Sequence, residues 1–365
     1  MRFQDEYRER ELVQGLAGAI AREAAGLQTP LRFMEVCGTH TMAIAQFGLK
    51  GLLPDTVTLV SGPGCPVCVT PISYLDHAIA LAELRGVTVA TFGDLLRVPG
   101  SRNTLMTARA AGADVRVVYS ALDAVRLAEE LPQRRVVFLG IGFETTTPTV
   151  GCAILTAAAK DLRNFFVLAS HKTMPGPMQV LSQDPALQIS GYICPAHVSV
   201  VIGGAAYRPL AEQYGIPCVV TGFEPADVLQ GVLLLLRQRL SGVATVEIQY
   251  RRAVTWEGNR QAQELLQQVF EPADALWRGL GIIPDSGLAI REEFGRFDAA
   301  RMLPVALPAS CEPPGCRCGE VLTGRISPEV CPLFHTTCSP ENPVGACMVS
   351  SEGSCAAAWR YGIRS

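Results

Sequence analysis

Cysteine and histidine recur in this chain at spacings that suit thiol, metal and redox chemistry. The first group is Cys37-Gly38-Thr39-His40, directly after the apolar run Leu31–Val36. A thiolate is a soft ligand for iron, copper or zinc, and an imidazole three residues on can bind, hydrogen-bond or deprotonate it. Glycine beside the cysteine allows close approach by another group. A buried cysteine serving as a small apolar residue is the competing reading. The second group is Gly62-Pro63-Gly64-Cys65-Pro66-Val67-Cys68, again after an apolar run. A C-x-x-C in a Gly/Pro turn, followed by a helix, fits a dithiol–disulfide pair, because the turn brings the sulfurs together. Half of a zinc site is the alternative.

The third group lies in the tail. Seven of the 13 cysteines fall within the last 55 residues, at 311, 316, 318, 331, 338, 347 and 355. Cys316, Cys331, Cys338 and Cys355 read as C-x14-C-x6-C-x16-C. Four thiolates suit a structural zinc or an iron–sulfur cluster, and the absence of paired knuckles favours iron–sulfur. Cys318 can stand in for Cys316, and Cys347 for Cys355. Cys311 reads as a bystander. Smaller signals are His171 in Ser170–Pro177 and His197 after Cys194-Pro195, each expected in a loop at a strand end. His77 and His335 read as structural, and Cys152 and Cys218 as core residues. No Walker A loop, G-x-G-x-x-G or G-x-S-x-G occurs.

The elements that must position these groups alternate between short apolar runs and helical stretches from Leu31 to about Leu240. Strands are expected at 31–36, 57–61, 87–91, 115–118, 136–141, 165–170, 191–193 and 218–221. Helices are expected at 73–85, 104–111, 122–131 and 225–240. This alternation implies βαβ units on a parallel sheet. Gly142-Phe143-Glu144 and Gly222-Phe223-Glu224 both follow apolar runs, where open α/β sheets gather ligands. For a tripeptide alone, a chance turn is the favoured reading. An amphipathic helix is expected over 5–26, a strand over 246–254 and a helix over 258–280. After Pro304 the chain is rich in Pro, Gly and Cys, and a metal is expected to hold it.

Length and composition bound the rest. The 365 residues point to two or three domains. Hydrophobic residues at 48% and charged residues at 18% exclude a long disordered chain. Net charge is −3, with no basic stripe, so a nucleic-acid partner is not expected. Mean hydropathy is high at +0.24. Even so, no run approaches the ~20 apolar residues of a membrane span. The N-terminus is charged from the start, unlike a signal peptide, so a cytoplasmic protein with reduced thiols is expected.

Together the motifs resemble the HypD-type proteins that mature [NiFe]-hydrogenases. The matching stretches are CGTH at 37–40, GPGCPVCVTP at 62–71, GFETTTPT at 142–149 and SHKTMPGP at 170–177. PAHVSVVIG at 195–203 and the cysteine-rich tail at 316–362 complete the match. The resemblance implies an α/β fold of two Rossmann-like parallel-sheet domains plus a Cys-rich iron–sulfur domain. In this chain that expectation becomes an N-terminal helix at 1–30 packed on the C-terminal domain, α/β domains at 31–120 and 121–240, and an iron–sulfur domain at 241–365.

It also implies a scaffold for the Fe(CN)2CO unit of the hydrogenase. Cys37 would ligate the Fe(II) that carries CN and CO, jointly with a HypC-type chaperone, and His40 would assist with protons or orientation. Cys65 and Cys68 would be a redox pair communicating with a [4Fe–4S] cluster on Cys316, Cys331, Cys338 and Cys355. A HypE-type protein would deliver the cyanide precursor, HypF would act upstream, and the hydrogenase large subunit would be served indirectly. Glu144, with Thr145 and Thr146, would line the cavity or a partner surface. Two other readings share some of the residues. One is an iron–sulfur dithiol–disulfide oxidoreductase acting on a protein substrate, and the other is a zinc-stabilised binding protein.

Overall fold

A computed structural model describes residues 4–362. Its strands are β1 (Leu31–Glu35), β2 (Val57–Ser61), β3 (Val87–Thr91), β4 (Asp114–Val117), β5 (Arg135–Gly142), β6 (Phe165–Lys172), β7 (Gly191–Pro195), β8 (Cys218–Thr221), β9 (Val246–Ile248), β10 (Phe270–Trp277) and β11 (Gly281–Ile290). They form two sheets, ordered β2-β1-β7-β8-β9 and β10-β11-β6-β5-β3-β4. The first is parallel throughout. The second is parallel from β6 to β4 but ends in an antiparallel hairpin, β10 and β11, laid on β6. It is therefore a mixed sheet, not the parallel one expected.

Sheet membership does not follow cuts at 120 and 240. The chain lays β1 and β2 in the first sheet, crosses to build β3–β6 in the second, then returns for β7–β9. Apolar runs identify strands locally but carry no information about which sheet receives them. Central strands are buried on both faces: Val136, Val137, Phe138 and Leu139 of β5 are fully inaccessible, as parallel strands covered by helices require.

The N-terminal helix spans Arg10–Ala24, and its main seat is helix Pro225–Ser241. Ile20 and Ala24 join Leu229, Val232 and Leu236 in one buried cluster. This corrects the expectation that it seats on the C-terminal segment: its apolar stripe completes the layer over the first sheet. The helix expected over 258–280 stops at Val269, because Phe270 is already extended at φ −121°, ψ 160°. From there Phe270 and Trp277 point inward while Glu271 and Pro272 face solvent, the pattern of an edge strand that tolerates proline. The strand expected over 246–254 shortens to Val246–Ile248.

The cysteine-rich tail forms short helical turns at Cys318–Leu322, Ala346–Val349 and Ser354–Tyr361. Its buried side chains belong to the same core cluster as Met34, Cys65 and Cys68. The tail is thus docked against the strand ends of the α/β body. No helix among the described residues is long and apolar enough to cross a membrane.

Candidate functional site

Strand β1 ends just before Cys37, which caps the N-terminus of helix Gly38–Gln46. Backbone N–H groups of Thr39 and His40 face the sulfur and favour its thiolate. Burial opposes them and is the larger effect, with the Glu352 carboxylate adding to it, so the thiol is pushed up to about 12. A cation at this sulfur would reverse that balance. Beneath it, Glu35 is buried and accepts from the Cys37 backbone N–H at 3.0 Å and from Thr41 Oγ1 at 2.5 Å. Burial raises its carboxyl to about 7.

The His40 ring is buried. Its Nε2 lies 3.0 Å from the Gly222 carbonyl oxygen and 2.9 Å from Thr221 Oγ1. A carbonyl only accepts, so Nε2 carries the proton and Nδ1, which has no partner, presents a lone pair. Burial lowers this imidazole to about 4, so it is neutral at physiological pH. Phe223 sits between His40 and His197, with ring centroids 4.7 and 4.3 Å away. The second Gly-Phe-Glu therefore has a place at the end of β8: its carbonyl and ring fix His40. Glu224 caps the following helix and pairs with Arg8.

Glu352 reaches this site from the tail. Thr39 Oγ1 donates to its Oε1 at 2.8 Å, 313 positions away in the chain. A Cβ on Gly38 would lie 2.4 Å from Glu352 Cβ, which accounts for glycine in Cys-Gly-Thr-His. Because the Glu352 charge disfavours a thiolate at Cys37, Glu352→Gln is expected to lower the Cys37 thiol while an amide oxygen keeps the Thr39 bond. Severalfold faster alkylation of the Cys37 peptide by iodoacetamide at neutral pH, read by mass spectrometry, is the expected result. An unchanged rate would remove Glu352 from the electrostatics of the thiol.

Cys65 and Cys68 are buried and joined as a disulfide, with Cα atoms 5.2 Å apart. Cys65 caps the short helix Pro66–Val69, with Pro66 in its first turn. Their loop touches the Cys37 loop: the Gly38 N–H donates to the Gly64 carbonyl at 3.0 Å. On the other side Cys68 Sγ lies 3.9 Å from the Ala346 carbonyl, the residue before Cys347.

Six tail cysteines line one small cavity: 316, 318, 331, 338, 347 and 355, with Val321, Leu333, Phe334 and Met348 as apolar wall. Cys318 and Cys347 sulfurs are 2.7 Å apart. The Cys316 and Cys347 thiols hydrogen-bond to Cys318 and hold it low, while both are themselves raised. The buried Arg278 guanidinium adds positive charge nearby. Soft donors converging in a dry wall fit a thiolate-bound metal or cluster. Among the described residues no three His, Cys, Asp or Glu are closed around a single-ion site. The four cysteines expected as ligands are all present at the cavity, and Cys318 and Cys347 join them. Cys311 is exposed and outside it.

Glu144 is not brought to this site. It lies beyond β5 and lines a separate cleft whose lining includes none of the cysteines. His171 lies within β6, not in a loop, and stacks edge-on against Phe270 at 5.3 Å. Lys172 closes the same strand over the Trp277 ring, and burial lowers it to about 8. His197 opens helix Ala196–Ile202, His77 lies mid-helix and His335 stacks on Trp359. Sequence reasoning missed Glu35, Glu352 and Arg278, and an acid between Cys347 and Cys355 was the available clue to Glu352.

An α/β body of one parallel and one mixed sheet, whose strand ends gather a buried thiol, a disulfide and a six-cysteine cavity, defines a cysteine-rich thiol protein with donors suited to metal or electron handling. Residues 11–362 match the family model described as HypD, Hydrogenase formation hypA family. The chain is 47% identical to the hydrogenase maturation factor HypD of Escherichia coli over 366 residues, covering 99% of this chain and 98% of that protein. It is 47% identical to the factor of the same name from Rhizobium leguminosarum, covering 99% and 96%. With that from Azotobacter vinelandii it shares 48%, covering 99% and 97%. The chain belongs to the HypD family.

Proposed function

We propose that this chain is the scaffold and redox component on which the Fe(CN)2CO unit of a [NiFe]-hydrogenase is assembled. The observation that carries this reading is the contiguity of three thiol groups. Cys37 abuts the Cys65–Cys68 loop, and that loop abuts the turn entering Cys347. Iron, as cargo, is held by Cys37 together with a thiolate from a HypC-type chaperone. A HypE-type partner presents a thiocyanate group, and the hydrogenase large subunit receives the finished unit indirectly. In its dithiol form the Cys65/Cys68 pair supplies two electrons: dithiol plus R–SCN gives disulfide, R–SH, one proton and cyanide. His40 is neutral with Nδ1 free and is suited to orient the thiol; burial makes it too weak a base to keep that proton, which leaves with the cyanide.

Four of the six cavity cysteines, with Cys316, Cys331, Cys338 and Cys355 as the first choice, would hold a [4Fe–4S] cluster able to return electrons to the disulfide. The setting is the cytoplasm, where thiols stay reduced.

Metal analysis tests the cluster. Anaerobically purified chain is expected to carry about four irons and four acid-labile sulfides. One zinc without sulfide would overturn the redox part and leave a structural tail.

A further inference from the structure

The Gly142-Phe143-Glu144 turn opens on a cleft of about 600 Å³ that the thiol chemistry does not use. One wall is the start of helix Pro175–Ser182, and the other is the β10–β11 hairpin at Ile283–Asp285. The walls close tightly at their base: a Cβ on Gly176 would lie 2.9 Å from Ser286 Cβ. Glu144 is 4% exposed. Its Oε1 accepts the Met174 N–H at 3.0 Å, while its buried Oε2 has no partner. A carboxyl oxygen left in this state is costly unless something completes it.

The chemistry of the lining restricts what that is. Asp285 supplies a second carboxylate at the exposed side, and no lining residue is lysine or arginine. Burial raises the Glu144 carboxyl to about 7, and a docked cation favours its charged form, so the lining invites a cation. A hard metal ion wants several oxygens closed around it, and no such group exists among the described residues. A guanidinium or ammonium needs one or two acceptors and an apolar channel for its methylene stem. Pro175, Ile202 and Ile283 provide that channel, and Gln179 with Thr173 can meet the amides of an extended backbone.

We propose that this cleft docks a segment of a partner protein that presents an arginine or lysine side chain, with Glu144 as the buried counter-charge. Glu144 is then a recognition residue, remote from the chemistry at Cys37, and the proposal stands whether or not the thiol mechanism does.

The test uses the full chain with 13C-labelled isoleucine methyls and three end-capped tripeptides, centred on arginine, lysine or citrulline. The arginine or lysine peptide is expected to shift the Ile202 and Ile283 methyls saturably. The neutral citrulline peptide should bind roughly tenfold or more weakly. Glu144→Gln, which keeps the acceptor for Met174, should weaken the charged peptides by a similar factor. Absence of a saturable shift with either charged peptide at millimolar concentration, or equal binding of the citrulline peptide, would overturn the proposal. So would undiminished binding by the variant. The citrulline comparison needs no variant, so it holds even if Glu144→Gln perturbs folding.

Discussion

A Cys37→Ala chain should fold normally yet fail to retain the iron–cyanide unit. Cys37 is buried, but the loss is one sulfur at the end of a strand, a change of about 1 kcal/mol. The Thr39 and His40 N–H groups lose only the weak acceptor that faces them, since the sulfur makes no full capping bond to the following helix. The Cys37 backbone N–H to Glu35 and the Gly38 N–H to Gly64 survive the change. What disappears is the soft donor.

Neither Glu35 nor Glu352 replaces it. Both are hard carboxylates, and Glu35 is already occupied by Thr41 and the Cys37 backbone. Retention should fall by at least about a hundredfold, beyond the range seen for outer-shell changes. The check is infrared spectroscopy of the chain purified with its HypC-type partner, reading iron-bound cyanide and carbonyl, with iron content measured in parallel. Undiminished bands in the alanine variant would sink the assignment of Cys37 as ligand. They would leave the dithiol–disulfide reading, which gives Cys37 no task.

Much of the scaffold is local and so was legible. β2, β3 and β8 have the bounds expected from short β-branched, largely apolar runs flanked by Gly, Pro or Asp; β3 and β8 are buried on both faces, while the edge strand β2 exposes Thr58. The positions of Cys37 and of the C-x-x-C at strand ends follow from the same runs. The crossing of the chain between two sheets is not local, and nothing in the spacing of 31–61 announces that β1 pairs with β7. The hairpin after Val269 was hidden because Leu265, Leu266, Val269 and Phe270 suit a helix face and a strand start equally well. Glu352 and Arg278 act through space on cysteines far from them in sequence, so only folding reveals them.

The glycine between the two thiol loops carries the second large effect. A Cβ on Gly64 would lie 2.1 Å from the Cys37 nitrogen, 2.4 Å from its Cα and 2.4 Å from the Val36 carbonyl carbon. All three are backbone atoms at the end of β1, so no rotamer change relieves the clash. The loops must part, breaking the 3.0 Å bond from the Gly38 N–H to the Gly64 carbonyl. Gly64→Ala should therefore cost about 2–4 kcal/mol, as overpacking with a lost buried bond does. It should also lower iron retention, because Cys37 and the Cys65–Cys68 pair no longer meet.

Gly15→Ala is the matched control. Nothing lies within 4 Å of a Cβ there, and the residue sits inside helix Arg10–Ala24, so the change should stabilise by roughly 0.5–1 kcal/mol. Denaturant midpoints of the two variants should move in opposite directions. Equal midpoints would mean that the loops are not pressed together in solution, and the contact that links thiol to dithiol would go with them.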